Sequence, residues 1–229
     1  MGASNGSNAN GGGRSFFTLK ENKAEGTAAT GNIRFYKSVK EGDKWVLGEG
    51  FTQMSGYLND IEVKEYEWQG KKKHEIILKM ADDQTGQAID VKTSFPTTVS
   101  KNILNALANI EKYGVISIEI GKPQEFQGKW YPSVFTKNGG ETCKFAFTKA
   151  NNNQPPKIEY VKDEEGNEIK KGVVAERNFW LEQIEKINTK LKASPTAILN
   201  KPAGYVPQAA AQTREPSHSH TDDFDDVPF

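Results

Sequence analysis

Acid–base chemistry needs positioned titratable groups, and three histidines are all that the chain of 229 residues offers near neutral pH. His218 and His220 lie in a stretch without periodicity, and His74 follows three lysines beside Glu75, the setting of a solvated strand start. The single cysteine, Cys143, excludes an internal disulfide framework and any all-cysteine metal site. With no histidine near it in sequence, it reads as a small buried residue. The chain carries no phosphate-loop, dinucleotide-binding or nucleophile-elbow motif and no paired-cysteine spacing. It therefore nominates no catalytic residue, no metal ligand and no cofactor.

Binding chemistry is better supplied. Tyr66-Glu67-Trp68-Gln69-Gly70-Lys71-Lys72-Lys73 and Glu125-Phe126-Gln127-Gly128-Lys129-Trp130-Tyr131 repeat one short pattern, aromatic, Gln, Gly, Lys. Such a run suits a hairpin tip, where glycine lets the turn tighten and brings ring and ammonium close. A nucleic-acid single strand exposes base faces that stack on rings at about 1 to 3 kcal/mol per base, while lysines track its phosphates. Further rings come from Arg34-Phe35-Tyr36-Lys37 and Lys44-Trp45. The candidate binding residues are Arg34, Tyr36, Lys37, Trp68, Lys71, Lys72, Lys73, Phe126, Lys129, Trp130 and Tyr131. For Trp68, Trp130 and Tyr131 two readings stay open, stacking on a ligand or packing inward, and Phe35 or Tyr36 can equally belong to a half-buried edge strand.

The elements that must position these residues read mainly as strands. Phe51, Met54, Tyr57, Leu58, Ile61 and Val63 lie in a long run from about 50 to 68, interrupted by Gly56, which suits a strand that bends sharply. His74 to Met80 and Gln87 to Thr93 complete a three-stranded meander. The period then changes: Thr97 or Thr98 caps a helix with Ile103, Leu104, Leu107 and Ile110 on one face and Gly114 as its stop. Strands over 115–120 and 129–135 follow, and Cys143 to Phe147 can add an outer one. Three strands, a helix and two strands is the order of an OB-fold, a five-stranded Greek-key barrel whose first hairpin and last connection flank an oligonucleotide groove. The fold class is thus all-β with one or two helices. Lys157 to Gly172 reads as a charged hairpin turning at Glu165-Gly166-Asn167. Val173 to Lys192 reads as an amphipathic helix with Trp180, Ile184, Ile187 and Leu191 on one face, for the barrel or for a dimer seam.

Composition sets the outer limits. Only 35% of residues are apolar and mean hydropathy is −0.70, so part of the chain stays out of any core. Residues 1–14, almost wholly Gly, Asn, Ser and Ala, read as disordered. Residues 15–149 form the barrel with an N-terminal extension, 150–193 an accessory hairpin and helix, 194–220 a Pro- and Ala-rich disordered linker, and 221–229 an acidic tip. No run is long enough for a membrane span, and the N-terminus lacks the features of a signal peptide. Formal charge is zero, 30 basic against 30 acidic residues, but four of the acids fall in the last nine residues, leaving 30 against 26 elsewhere. A basic body with an acidic tail is the asymmetry associated with nucleic-acid binding.

The tip itself is specific. Asp222-Asp223-Phe224-Asp225-Asp226-Val227-Pro228-Phe229 resembles the terminal peptide of bacterial single-stranded DNA-binding proteins, an acidic stretch closed by a small aliphatic residue, proline and phenylalanine. The plan of barrel, linker and acidic tip is similar too, whereas 150–193 departs from it, as a divergent, phage-encoded relative would. The resemblance implies a non-enzymatic protein of the bacterial or phage-infected cytoplasm and allows a homo-oligomer. It would coat single-stranded DNA with little sequence preference during replication, recombination and repair, and recruit the proteins of those processes through the tip. The alternative is an OB-fold adaptor for RNA or protein.

Overall fold

The computed structural model describes residues 14–21, 30–150, 153–162 and 168–193. The readings of residues 1–13, of the 165–167 turn, and of the linker and acidic tip, 194–229, lie outside the described residues.

The long run after residue 50 is one strand, β4 (Gln53–Trp68), followed by β5 (Lys71–Ala81) and β6 (Ala88–Phe95), all antiparallel neighbours. Met54, Leu58 and Ile61 face the core, and the alternation changes phase at a bulge between Leu58 and Asp60. Gly56 is required by close approach, since a Cβ there would sit 2.5 Å from the Ala81 carbonyl oxygen. N-terminal to this meander, β1 (Ser15–Glu21), β2 (Ile33–Glu41) and β3 (Lys44–Phe51) form an antiparallel unit, and β1 lies parallel to β6.

Helix α1 (Thr98–Ala108) starts with a capping box in which Thr97 and Ser100 each accept from the other's backbone N–H. It ends at Asn109, before the expected stop at Gly114, because the Asn109 and Ile110 amides turn back onto the Ala106 and Leu107 carbonyls and Ile110 dives into the core. Gly114 instead donates its N–H to Asn138 Oδ1 at 2.7 Å, at the entrance to β7 (Val115–Ile120).

The expected strand over 129–135 is two separate pieces. A small hairpin, β8 (Gln124–Phe126) and β9 (Lys129–Tyr131), stands apart from the main sheet, and Pro132-Ser133 divides it from β10 (Val134–Asn138), which pairs with β7. Cys143 to Phe147 is not an outer strand. Only β11 (Glu141–Thr142) extends that edge, and both backbone groups of Phe147 are taken by the Asn105 side chain at 2.8 and 3.0 Å.

Strands β12 (Glu159–Lys162) and β13 (Glu168–Lys171) form the charged hairpin, and α2 (Val173–Ala193) follows. Trp180, Ile184, Ile187 and Leu191 are buried in the same apolar core as the sheet and α1, so this face packs inward and is no dimer seam. Asn188 clamps β4 just past its bulge, bonding both the N–H and the carbonyl of Ile61 at 2.9 Å. Lys190 donates to the Ala108 carbonyl at the end of α1 and to the Ile110 carbonyl just beyond it.

Among the described residues the main sheet has nine strands in the order β11-β10-β7-β4-β5-β6-β1-β2-β3. A mostly β chain with two helices is what the alternation requires. Among the described residues, however, the hydrogen bonding does not close a five-stranded barrel: β1 occupies the free edge of β6, and β10 stays beside β7. The sheet instead curls round its core, with residues from β1, β2, β4, β7 and β10 in one cluster. No helix among the described residues is long and apolar enough to cross a membrane.

Candidate nucleic-acid interface

The repeated sequence pattern gives a repeated turn. Gln69 and Gly70 have φ of 51° and 71°, and Gln127 and Gly128 have 52° and 73°, so both tips are two-residue hairpin turns with both central residues left-handed. Glycine takes that conformation freely, which is why it occupies the second position in each. The turn sets the register, and in each case the ring before it faces the lysine after it, Trp68 opposite Lys71 and Phe126 opposite Lys129. Directly opposed residues share a face with Cβ atoms about 5 Å apart.

Side-chain alternation then sorts the lysine run. Tyr66 pairs with Lys73 and Trp68 with Lys71, so these four share one face. Lys72 points to the other, where its ammonium meets Glu65 at 2.7 Å and His74 Nε2 meets the second Glu65 oxygen at 3.1 Å. The hydrogen bond from Lys72 holds the Glu65 carboxyl below the usual carboxylate range against some desolvation. Lys72 is therefore committed to an acid, whereas Lys71 and Lys73 make no ion pair among the described residues.

The rings are outside the core. Trp68 is 60% exposed, Trp130 46% and Phe126 40%, which rules out inward packing for both tryptophans. Trp130 does not share a face with Lys129, because its cross-strand partner is Glu125. Tyr131 is half-buried at the base of the small hairpin. There its backbone and Pro123 crowd Gly31, whose Cβ would lie 2.9 to 3.1 Å from them. The two tips lie at opposite ends of β4: one continues its C-terminus, and the other follows β7, which runs antiparallel to the N-terminal half of β4.

Along β2, Ile33 and Phe35 are buried while Arg34 and Lys37 are exposed, so Phe35 belongs to the core and not to a stacking platform. Tyr36 is half-buried, its ring lying over Gly50 at a distance a side chain there could not share. Registers across the sheet place Glu62, Ile77, Lys92, Thr18, Tyr36 and Gly50 in one row on the outer face. Three acids of this face are already engaged: Lys79 meets Glu62 at 2.8 Å and Asp60 at 3.3 Å, and Arg14 meets Asp90 at 3.4 Å. The hydrogen bond from Lys79 lowers the Glu62 pKa. Lys92 keeps no ion-pair partner among the described residues.

Of the sequence-nominated residues, the structure gathers Trp68, Lys71 and Lys73 at one tip and Phe126 with Lys129 at the other. It turns Lys72 and Trp130 to the opposite faces of their hairpins. Asp222, Asp223, Phe224, Asp225, Asp226, Val227, Pro228 and Phe229 lie outside the described residues. Sequence reasoning missed Lys92, since the rings near it come from distant strands and no local signal marks it. Among the described residues no group of three His, Cys, Asp or Glu side chains could hold a metal ion. The arrangement can stack planar groups and neutralise anions. No family model, curated protein or solved structure matches the chain.

Proposed function

We propose that the chain is a non-enzymatic protein of the bacterial or phage-infected cytoplasm that binds single-stranded DNA with little sequence preference. The observation that carries the reading is the twice-built ring, turn and lysine unit, Trp68 with Lys71 and Phe126 with Lys129, each in the same hairpin geometry. A stacking ring beside an uncommitted cation is what a flexible polyanion with exposed bases requires. The order β4-β5-β6-α1-β7-β10 supports an OB-like core, in which β1 fills the edge where closure would occur. The two units sit on the connections that flank the groove of such a fold.

The acidic tip adds a second role by resemblance, recruitment of replication, recombination and repair proteins through Phe229 and its carboxylate, framed by Asp222, Asp223, Asp225 and Asp226. Joined to the basic body through residues 194–220, those aspartates would also compete with phosphates.

Titration of the full chain with oligo-dT, duplex DNA and RNA of equal length, followed by tryptophan fluorescence, tests the proposal. Quenching by oligo-dT, with an affinity that falls as salt rises, is the expected result. A preference for RNA would move the reading to an RNA adaptor, and an absence of binding to any of the three would end it. Truncation after His220 is expected to strengthen oligo-dT binding, most at low salt, and to abolish capture of replication proteins.

A further inference from the structure

The first three strands do more than pad the edge of the sheet. On the outer face of β1 to β3, Phe16, Thr18, Ser38, Trp45, Leu47 and Lys92 line an open cleft of about 470 Å³. Its wall is an exposed ring: Trp45 is 62% exposed, the most open of the large apolar side chains among the described residues. The indole is held by an edge-to-face contact with Phe16, ring centres 6.1 Å apart and planes at 70°. An indole has two faces and such a contact covers at most one, so a face remains for a planar guest. Lys92 brings a cation to the floor, unpaired among the described residues, while the nearby acid Asp90 is engaged by Arg14. Thr18 and Ser38 add hydroxyls that can donate or accept.

We propose that this cleft is a base-binding subsite for single-stranded DNA, in which Trp45 stacks on a base and Lys92 takes the adjoining phosphate. The inference rests on the single-strand reading above and extends its path onto the N-terminal strands. The outer face is continuous between the two places. From Trp68 the registers lead down β4 to the Asp60 row, across to Phe16 and Ser38, and on to the Lys40–Trp45 pair. At ordinary strand rise and spacing that path is at most about 33 Å along the strands and about 24 Å across them. A strand at about 3.4 Å per stacked nucleotide covers the diagonal in roughly 12 nucleotides, inside the range of about 4 to 16 for one such domain.

The test uses the full chain with Trp68→Phe and Trp130→Phe, which keeps rings at both hairpins and leaves as fluorophores Trp45 and the buried Trp180, only 2% exposed. Oligo-dT of about 15 nucleotides is expected to quench this variant, and adding Trp45→Phe is expected to remove the quenching while leaving binding measurable by gel shift. In the otherwise unchanged chain, Trp45→Ala is expected to weaken binding of the same oligonucleotide roughly 5- to 150-fold. Lys92→Gln is expected to lower the salt slope by about 0.7. Trp45 lies at an exposed position, so loss of the fold is not the expected outcome of its replacement, and circular dichroism checks this. Binding by gel shift without quenching of Trp45 would overturn the subsite and leave the hairpin-tip reading standing. Failure of the unchanged chain to bind any single strand would overturn both.

Discussion

If alternation along β5 decides which lysines meet phosphate, three adjacent lysines must behave differently. Lys71 and Lys73 share the face of Trp68 and Tyr66, and Lys72 is turned away onto Glu65 at 2.7 Å. Each phosphate contact to a single strand contributes about 0.7 to the slope of log affinity against log salt. Lys71→Gln and Lys73→Gln are therefore each expected to lower that slope by about 0.7, and Lys72→Gln to leave it unchanged. Trp68→Ala on the same face should weaken oligo-dT binding by about 1 to 3 kcal/mol, roughly 5- to 150-fold, without altering the slope. The fold should survive that change. With Trp68 60% exposed, truncation withdraws at most about 100 Å² of buried ring, an upper bound near 2.5 kcal/mol at about 25 cal/mol/Å². The assay is anisotropy of labelled oligo-dT across a salt series, with urea unfolding run in parallel. Equal loss of slope in all three lysine variants would refute the assignment by face, and unfolding of Trp68→Ala would mean that the ring holds the hairpin and not a base.

Two further outcomes follow from the packing. Asn188→Ala removes both bonds to Ile61 at the β4 bulge and is expected to lower unfolding stability by about 2 to 3 kcal/mol, seen as a lower urea midpoint, with oligo-dT affinity unchanged in the folded protein. The Glu62 carboxyl, held below its usual pKa by Lys79, stabilises the fold above its unfolded pKa and loses that contribution as pH falls through the lowered value. Glu62→Gln should therefore flatten the acid limb of a stability profile measured below about pH 5.

Much of the local structure was legible in the residues alone. The meander of β4, β5 and β6, the Thr97 cap of α1 and the apolar face of α2 are written in periodicities that a short window contains. The two hairpin tips were legible for the same reason, since Gln-Gly between a ring and a lysine is a complete instruction for a tight turn. Other features needed partners distant in the chain. The burial of Phe35, the parallel pairing of β1 with β6, the loss of barrel closure, and the capture of Phe147 by Asn105 all depend on contacts between residues far apart in sequence. So does the choice among Lys71, Lys72 and Lys73. Composition says that three cations stand together, but only the register set by the turn, and the presence of Glu65 across the strand, says which are left free for an anion. Residue type and spacing encode what a segment can do with its own neighbours in the chain. Which face it shows, and to what, is decided by packing, because the free energy that selects a pairing comes from burying surfaces against one another and not from any one segment.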